Sequence, residues 1–214
     1  MTSIDYARAR RALMRRDPVM ATLIRQHGEC GLASAQRTDP FHALLHAIIA
    51  QQLSTKAART IEGRFSAIFD GKPTPASVAG VPDEQLRSVG LSGPKLKYLR
   101  DLCARILDGS LNLETLDART DDEVIAALTS VKGIGRWTAE MFLMFRLHRP
   151  DVLPVGDLGI VKAVQRAYKL RSLPSPQRLT KIGETWRPYR SVACWYLWAS
   201  LNNAPMKTSK NGRG

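Results

Sequence analysis

Apolar residues recur along this chain at intervals of three and four, with no sustained two-residue alternation, so the pattern predicts an all-α fold joined by short turns. The clearest stripe is Phe41, Leu44, Leu45, Ile48 and Ile49, opened by Asp39 as a cap and Pro40 at the first helical position. Ahead of it, Asp5 caps a basic helix ending at Arg16, and Asp17-Pro18 restarts one carrying Val19, Met20, Leu23 and Ile24 as far as Gly28. Residues 28–38 read as a linker. Behind the stripe, Ser54 caps a helix facing Ile61, Phe65 and Ile68 inward, and Gly71 to Pro82 reads as a flexible loop. Asp83 caps a short helix ending at Gly90. Ser92-Gly93-Pro94 then opens one with Leu96, Leu99, Leu102 and Ile106 inside and Lys95, Lys97, Arg100 and Arg105 outside. Late in the chain Ser175-Pro176 starts a helix, and a last one carries Val192, Trp195, Leu197 and Trp198 before a basic tail, Asn202 to Gly214, that reads as frayed.

The stretch from Thr120 to Ala167 is the most informative. Thr120 and Glu123 form a capping box, with Val124, Ile125 and Leu128 at helical spacing behind it. Gly133 and Gly135 flank Ile134, so the backbone is expected to turn sharply at positive φ and to aim successive N–H groups outward where the next helix begins. Amides grouped at a helix start make a phosphate site; an αα-hairpin whose glycines only turn the chain is the plainer alternative. After an extended connection, a third helix opens at Asp157.

Charge changes the picture. The 214 residues carry a net charge of +13 and a pI near 10.2, more than solubility needs, which points to a polyanionic partner. Membrane is the competing polyanion, but no apolar run approaches the roughly 18 residues of a spanning helix, and Met1 to Arg16 lacks a secretory apolar segment, so a soluble intracellular protein is expected. Arginines 8, 10, 11, 15 and 16 read as a solvated helix face. Cys30, Cys103 and Cys194 are far apart and form no CxxC pair, which predicts neither a disulfide framework nor a zinc site. His42 and His46 share a helix face, yet no Glu follows His42 and no third ligand is evident, so no metal is assigned to them.

The run Val131-Lys132-Gly133-Ile134-Gly135-Arg136-Trp137-Thr138-Ala139, followed by Leu153-Pro154-Val155-Gly156-Asp157-Leu158-Gly159-Ile160, resembles the helix-hairpin-helix superfamily of base-excision DNA glycosylases. Within it, the chain is most similar to the 3-methyladenine DNA glycosylase II branch. The resemblance implies two helical lobes, 38–146 with the hairpin and 1–37 together with 147–214, and an active-site cleft between them that holds Asp157. It implies that Lys132, Gly133, Ile134, Gly135, Arg136 and Thr138 bind DNA phosphate, and that the carbonyls near Val131 and Ile134 can hold a sodium or potassium ion. The segment IIAQQLSTKAA resembles the loop that fills the hole left by an extruded base, with Gln52 on the wedge position and Leu53 the alternative. Trp137 and Trp198 fall on aromatic walls of the base pocket. Met141 and Leu158 stand where some relatives have aromatic residues, which implies a wider or less selective pocket. The Gly90-Leu91-Ser92-Gly93 turn is similar to one near the DNA backbone and reads equally well as a connector. The four cluster cysteines of some relatives are missing, as is room for the β-rich N-terminal domain of others.

Hydrolysing an N-glycosidic bond builds positive charge on the sugar, and Asp157 can supply the fixed negative charge beneath it while also capping its helix. Where strand-cleaving relatives carry a Schiff-base lysine, this chain has Trp137. The expectation is a monomeric, monofunctional, cofactor-free DNA glycosylase of base excision repair, acting on alkylated purines such as 3-methyladenine and 7-methylguanine in double-stranded DNA. It would work on the nucleoid in a bacterium or in the nucleus of a eukaryote. The alternatives are a glycosylase for another damaged or mismatched base and a non-catalytic helix-hairpin-helix DNA-binding protein.

Overall fold

The computed structural model describes residues 4–34 and 38–201. Its α-helices run in the order α1 (Tyr6–Arg16), α2 (Pro18–His27), α3 (Pro40–Ala50), α4 (Thr55–Ala67), α5 (Pro75–Gly80), α6 (Asp83–Ser88), α7 (Gly93–Leu107), α8 (Asp121–Thr129), α9 (Arg136–Met141), α10 (Leu158–Ala167), α11 (Pro176–Gly183) and α12 (Arg190–Leu201). No strand forms among the described residues, and none of their helices is long and apolar enough to cross a membrane. The chain divides into two compact units, a terminal one of residues 1–36 and 148–214 and a central one of residues 37–147.

In the terminal unit α12 packs on α2 and α10, and α1 packs on α2, around Leu13, Met20, Ile24, Leu32, Val164 and Leu197. A buried carboxylate, Asp17, sits in this core. Asp17 caps α2 through the amides of Val19 and Met20, at 2.8 and 3.1 Å, and its other oxygen accepts from the Trp186 indole at 3.0 Å and from the Tyr168 hydroxyl. Burial, reinforced by that carboxylate, pushes the Tyr168 hydroxyl far above its ordinary range. The connection leading to α10 is tied down by the start of α12. Ser191 Oγ donates to the Arg149 carbonyl at 2.7 Å and accepts from the Val152 amide at 3.0 Å, while Arg190 and Arg187 grip Asp151 at 2.8 and 2.6 Å. Residues 28–38 are less of a linker than the sequence implies: Gly31–Ser34 is a 3₁₀ turn that buries Leu32. The tail from Asn202 to Gly214 lies outside the described residues.

In the central unit α5 and α3 pack on α7, α3 on α4, and α8 on α9, around Leu44, Ile48, Phe65, Leu86, Leu99, Leu102 and Leu128. Three expectations fail here. Gly71 to Pro82 is not a continuous loop, because Thr74 and Ser77 form a reciprocal capping box and Pro75 starts α5. The cap of α6 is Pro82, with Asp83 already inside the helix. Nor do all the basic residues of α7 simply face water: Arg100 folds back onto the Val78 carbonyl at 2.7 Å and Asp83 at 2.7 Å. Past α9 the helix widens into a π-turn, Phe142–Arg146, which keeps Phe142, Leu143 and Met144 in the core.

Candidate functional site

The hairpin is built from α8 outward. Its capping box is present, with the Glu123 amide on Thr120 Oγ1 at 3.3 Å and the Thr120 amide on Glu123 Oε2 at 2.8 Å. Gly133 then takes φ +78°, and a Cβ there would meet the Tyr98 ring at 2.2 Å, so glycine is required both by conformation and by space. Gly135 departs from expectation. It is extended (φ −89°) and serves as the N-cap of α9 with no side chain capping that start. Ile134 between them is buried, and its amide bonds the Val131 carbonyl at 3.1 Å, so one lone pair of that carbonyl is engaged before any cation is considered.

Three side chains that the sequence reading passed over hold this turn. Asp101 accepts the Lys132 amide at 2.9 Å and Arg105 Nε at 3.0 Å. Desolvation pushes the Asp101 carboxyl up, but the Lys132 amide, Arg105 and the Lys132 charge outweigh it and leave the group below the usual carboxylate range. Tyr98 lies under Gly133, and Gln51 Nε2 donates to the Gly133 carbonyl at 2.8 Å. Because Asp101 uses the Lys132 amide, Lys132 offers an anion only its ammonium, which is largely exposed and 3.6 Å from Asp101. Arg136 is exposed and paired with buried Glu140 at 3.0 Å; Thr138 is buried.

Beside the hairpin, the α3–α4 turn holds Gln52 at φ +57°, a left-handed conformation that glutamine seldom adopts, and leaves both Gln52 and Leu53 exposed. Trp137 is half exposed and Met141 half buried. A cavity of about 500 Å³ in this unit is lined by His42, His46, Thr138, Met141, Phe145 and Arg146. His46 faces Glu62 at 2.9 Å, and His42 lies 3.4 Å from Asp39.

The terminal unit carries the remaining candidates. Asp157 is the N-cap of α10 and is buried, at 9% exposure. Its Oδ1 accepts the Ile160 amide at 2.7 Å and also the indole N–H of Trp198 at 3.0 Å. Trp198 is therefore more than an aromatic surface: it orients the carboxylate. Two donors on one oxygen hold the carboxylate in a fixed orientation. Gly159 completes the arrangement, since a Cβ there would stand 2.9 Å from Asp157 Oδ1 and 3.2 Å from the Trp198 ring. Leu158, at 58% exposure, faces solvent.

The family model described as HhH-GPD superfamily base excision DNA repair protein matches residues 45–188. The DNA-3-methyladenine glycosylase 1 of Schizosaccharomyces pombe is 35% identical over 168 residues, covering 77% of this chain and 74% of that protein. Among solved structures, the 3-methyladenine DNA glycosylase of the same yeast in complex with abasic DNA superposes with a TM-score of 0.80 at 31% identity, covering 94% of this chain and 100% of that one. A DNA-3-methyladenine glycosidase from Bacillus halodurans gives a TM-score of 0.74 at 36% identity, over 87% and 90% of the two chains.

Proposed function

We propose, because this chain belongs to the HhH-GPD superfamily of base excision DNA repair proteins, that it binds damaged duplex DNA and hydrolyses the N-glycosidic bond of alkylated purines such as 3-methyladenine and 7-methylguanine. The observation that carries this reading is the carboxylate of Asp157, buried and held by the Ile160 amide and the Trp198 indole. As the base departs, charge accumulates on the deoxyribose, and a fixed anion in a dry site stabilises that charge without reorganising at the moment of reaction. Purines alkylated at N3 or N7 are already cationic and leave without a general acid. The aromatic faces of Trp137 and Trp198 suit such electron-poor bases, with cation–π energies of about 1–2 kcal/mol. Water is the nucleophile and no cofactor is needed. Phosphate is held by the uncapped start of α9 with Lys132 and Arg136, and Gln52 or Leu53 enters the stack where the base has left.

Two measurements test the reading. Protein incubated with methylated duplex DNA should release free alkylated purines, and borohydride should trap no protein–DNA adduct, since Trp137 cannot form a Schiff base. Asp157→Asn keeps a good N-cap, so fold and lesion affinity should survive while single-turnover excision falls by at least about a hundredfold. Excision by the Asn variant within a few-fold of wild type overturns the assignment.

A further inference from the structure

Helix α7 presents Lys95, Tyr98 and Asp101 at three-residue spacing, and these three touch both parts of the central unit to which DNA contacts are ascribed above. Tyr98 and Asp101 hold the hairpin at Gly133 and Lys132. Lys95, expected to face water, instead donates from Nζ to the Ile49 carbonyl at 2.6 Å. That carbonyl belongs to the last turn of α3, where acceptors have no partner within the helix and carry the negative end of its dipole. Desolvation lowers the Lys95 ammonium below the ordinary lysine range, a sign that it has exchanged water for this contact. One residue past the end of α3, Gln51 leaves the helical conformation and bonds the hairpin carbonyl of Gly133 at 2.8 Å; Gln52 follows in its left-handed conformation.

We propose that Lys95 is a positioning residue for base extrusion: it caps the last turn of α3 at the Ile49 carbonyl and so fixes the Gln52–Leu53 turn at a set distance from the hairpin that α7 also holds. Phosphate capture and wedge insertion then act from one rigid element. The step Lys95 serves is the unpairing of the lesion, neither DNA affinity nor bond cleavage. The inference rests on the reading of Gln52 or Leu53 as the wedge.

The test uses Lys95→Met, which keeps the apolar stem and removes the donor, with Lys95→Arg as a variant that keeps a charged one. Single-turnover excision of an alkylated purine is measured in two duplexes, one with the lesion opposite its proper partner and one with it opposite an abasic site, where unpairing costs little. Losing one charge-assisted hydrogen bond should slow excision from the paired duplex about ten- to a hundredfold. Excision from the unpaired duplex, the affinity for duplex DNA and its salt slope should stay within twofold, and Lys95→Arg should restore part of the loss. Equal slowing on both duplexes, as a merely destabilised protein would give, overturns the proposal; so does no slowing on either. Gln52→Ala/Leu53→Ala separates the two readings. If it changes the paired-to-unpaired ratio while Lys95→Met does not, the wedge stands and the role of Lys95 falls. If neither changes the ratio, both fall. A wild-type protein that frees no base from either duplex removes the reading on which the inference stands, and the inference with it.

Discussion

Gly159→Ala is a change of one methyl group whose consequences follow from distances alone. The added Cβ would stand 2.9 Å from Asp157 Oδ1 and 3.2 Å from Cδ1 and Nε1 of Trp198, closer than carbon packs against oxygen or an aromatic ring. Neither neighbour can retreat freely. Asp157 Oδ1 is held by the Ile160 amide at 2.7 Å, and α12, which carries Trp198, begins with Arg190 and Ser191 bound to the 149–152 segment. If the ring gives way, the 3.0 Å indole–carboxylate bond is lost, worth about 1.5–3 kcal/mol for a charged acceptor, and excision should slow about ten- to a hundredfold. If the backbone gives way, overpacking costs about 1–3 kcal/mol, at about 2–4 °C of melting temperature per kcal/mol in a chain of this size. The two outcomes are separated by pairing a thermal melt with single-turnover excision. Gly63→Ala is the control: Gly63 is exposed within α4 with nothing within 4 Å of its Cβ, so alanine there should raise stability by about 0.5–1 kcal/mol through helix propensity. Should Gly159→Ala keep both the melting temperature and the excision rate of wild type, the packing of carboxylate, ring and glycine described above is wrong.

Gly133→Ala should disrupt the hairpin and weaken duplex binding by at least about tenfold, because a Cβ would overlap the Tyr98 ring at 2.2 Å, whereas Gly135→Ala, extended and with open space, should leave the melting temperature within about 2–4 °C; calorimetry and binding titrations distinguish them. Asp17→Ala removes an N-cap and strands the Trp186 and Tyr168 donors, so chemical denaturation should show a loss of about 2–5 kcal/mol with little change in the m-value. Burial pushes the Cys30 thiol up to about 12 and Cys103 up to about 11, so neither should react with a thiol reagent in native protein near neutral pH, and both should react once guanidinium unfolds it. The Asp101 carboxyl titrates below its unfolded value; its support of the hairpin is therefore present above the ordinary carboxylate range and is lost as pH falls through the depressed one. Hydrogen exchange at the Lys132 amide should stay protected as pH drops past about 4 and open only below it, and loss of protection already at pH 5 would contradict the Asp101–Lys132 bond.

Local signals were readable in the sequence wherever cause and effect lie within one turn. The stripe of α3, the capping box at Thr120 and the cap at Asp157 each follow from residues three or four apart. The Thr74–Ser77 box lay equally within reach, but the surrounding prolines and glycines favoured a loop, although Pro75 is the residue that starts the helix. What could not be read is what joins distant segments. Nothing local announces that Trp198 donates to Asp157 across 41 residues, that Gln51 reaches Gly133 across 82, or that Lys95 turns inward to Ile49 rather than outward with Lys97. The sequence shows that Gly133 is a glycine; only the Tyr98 ring explains why nothing larger fits.

The ties between α12 and the segment before α10 also bear on local opening of the chain. Ser191, Arg190 and Trp198 meet Arg149, Asp151 and Asp157 at separations of 39 to 42 residues, so each contact closes a long loop. Each such contact therefore carries the entropy of closing that loop, a cost the local turns of α10 do not bear. The Asp157 cap needs only its own helix, but the alignment of its carboxylate also needs α12 docked. A transient opening of α12 alone would then switch catalysis off while most of the chain stays folded. The amides of α12 and the rate of base release should therefore respond together to mild denaturant, ahead of global unfolding.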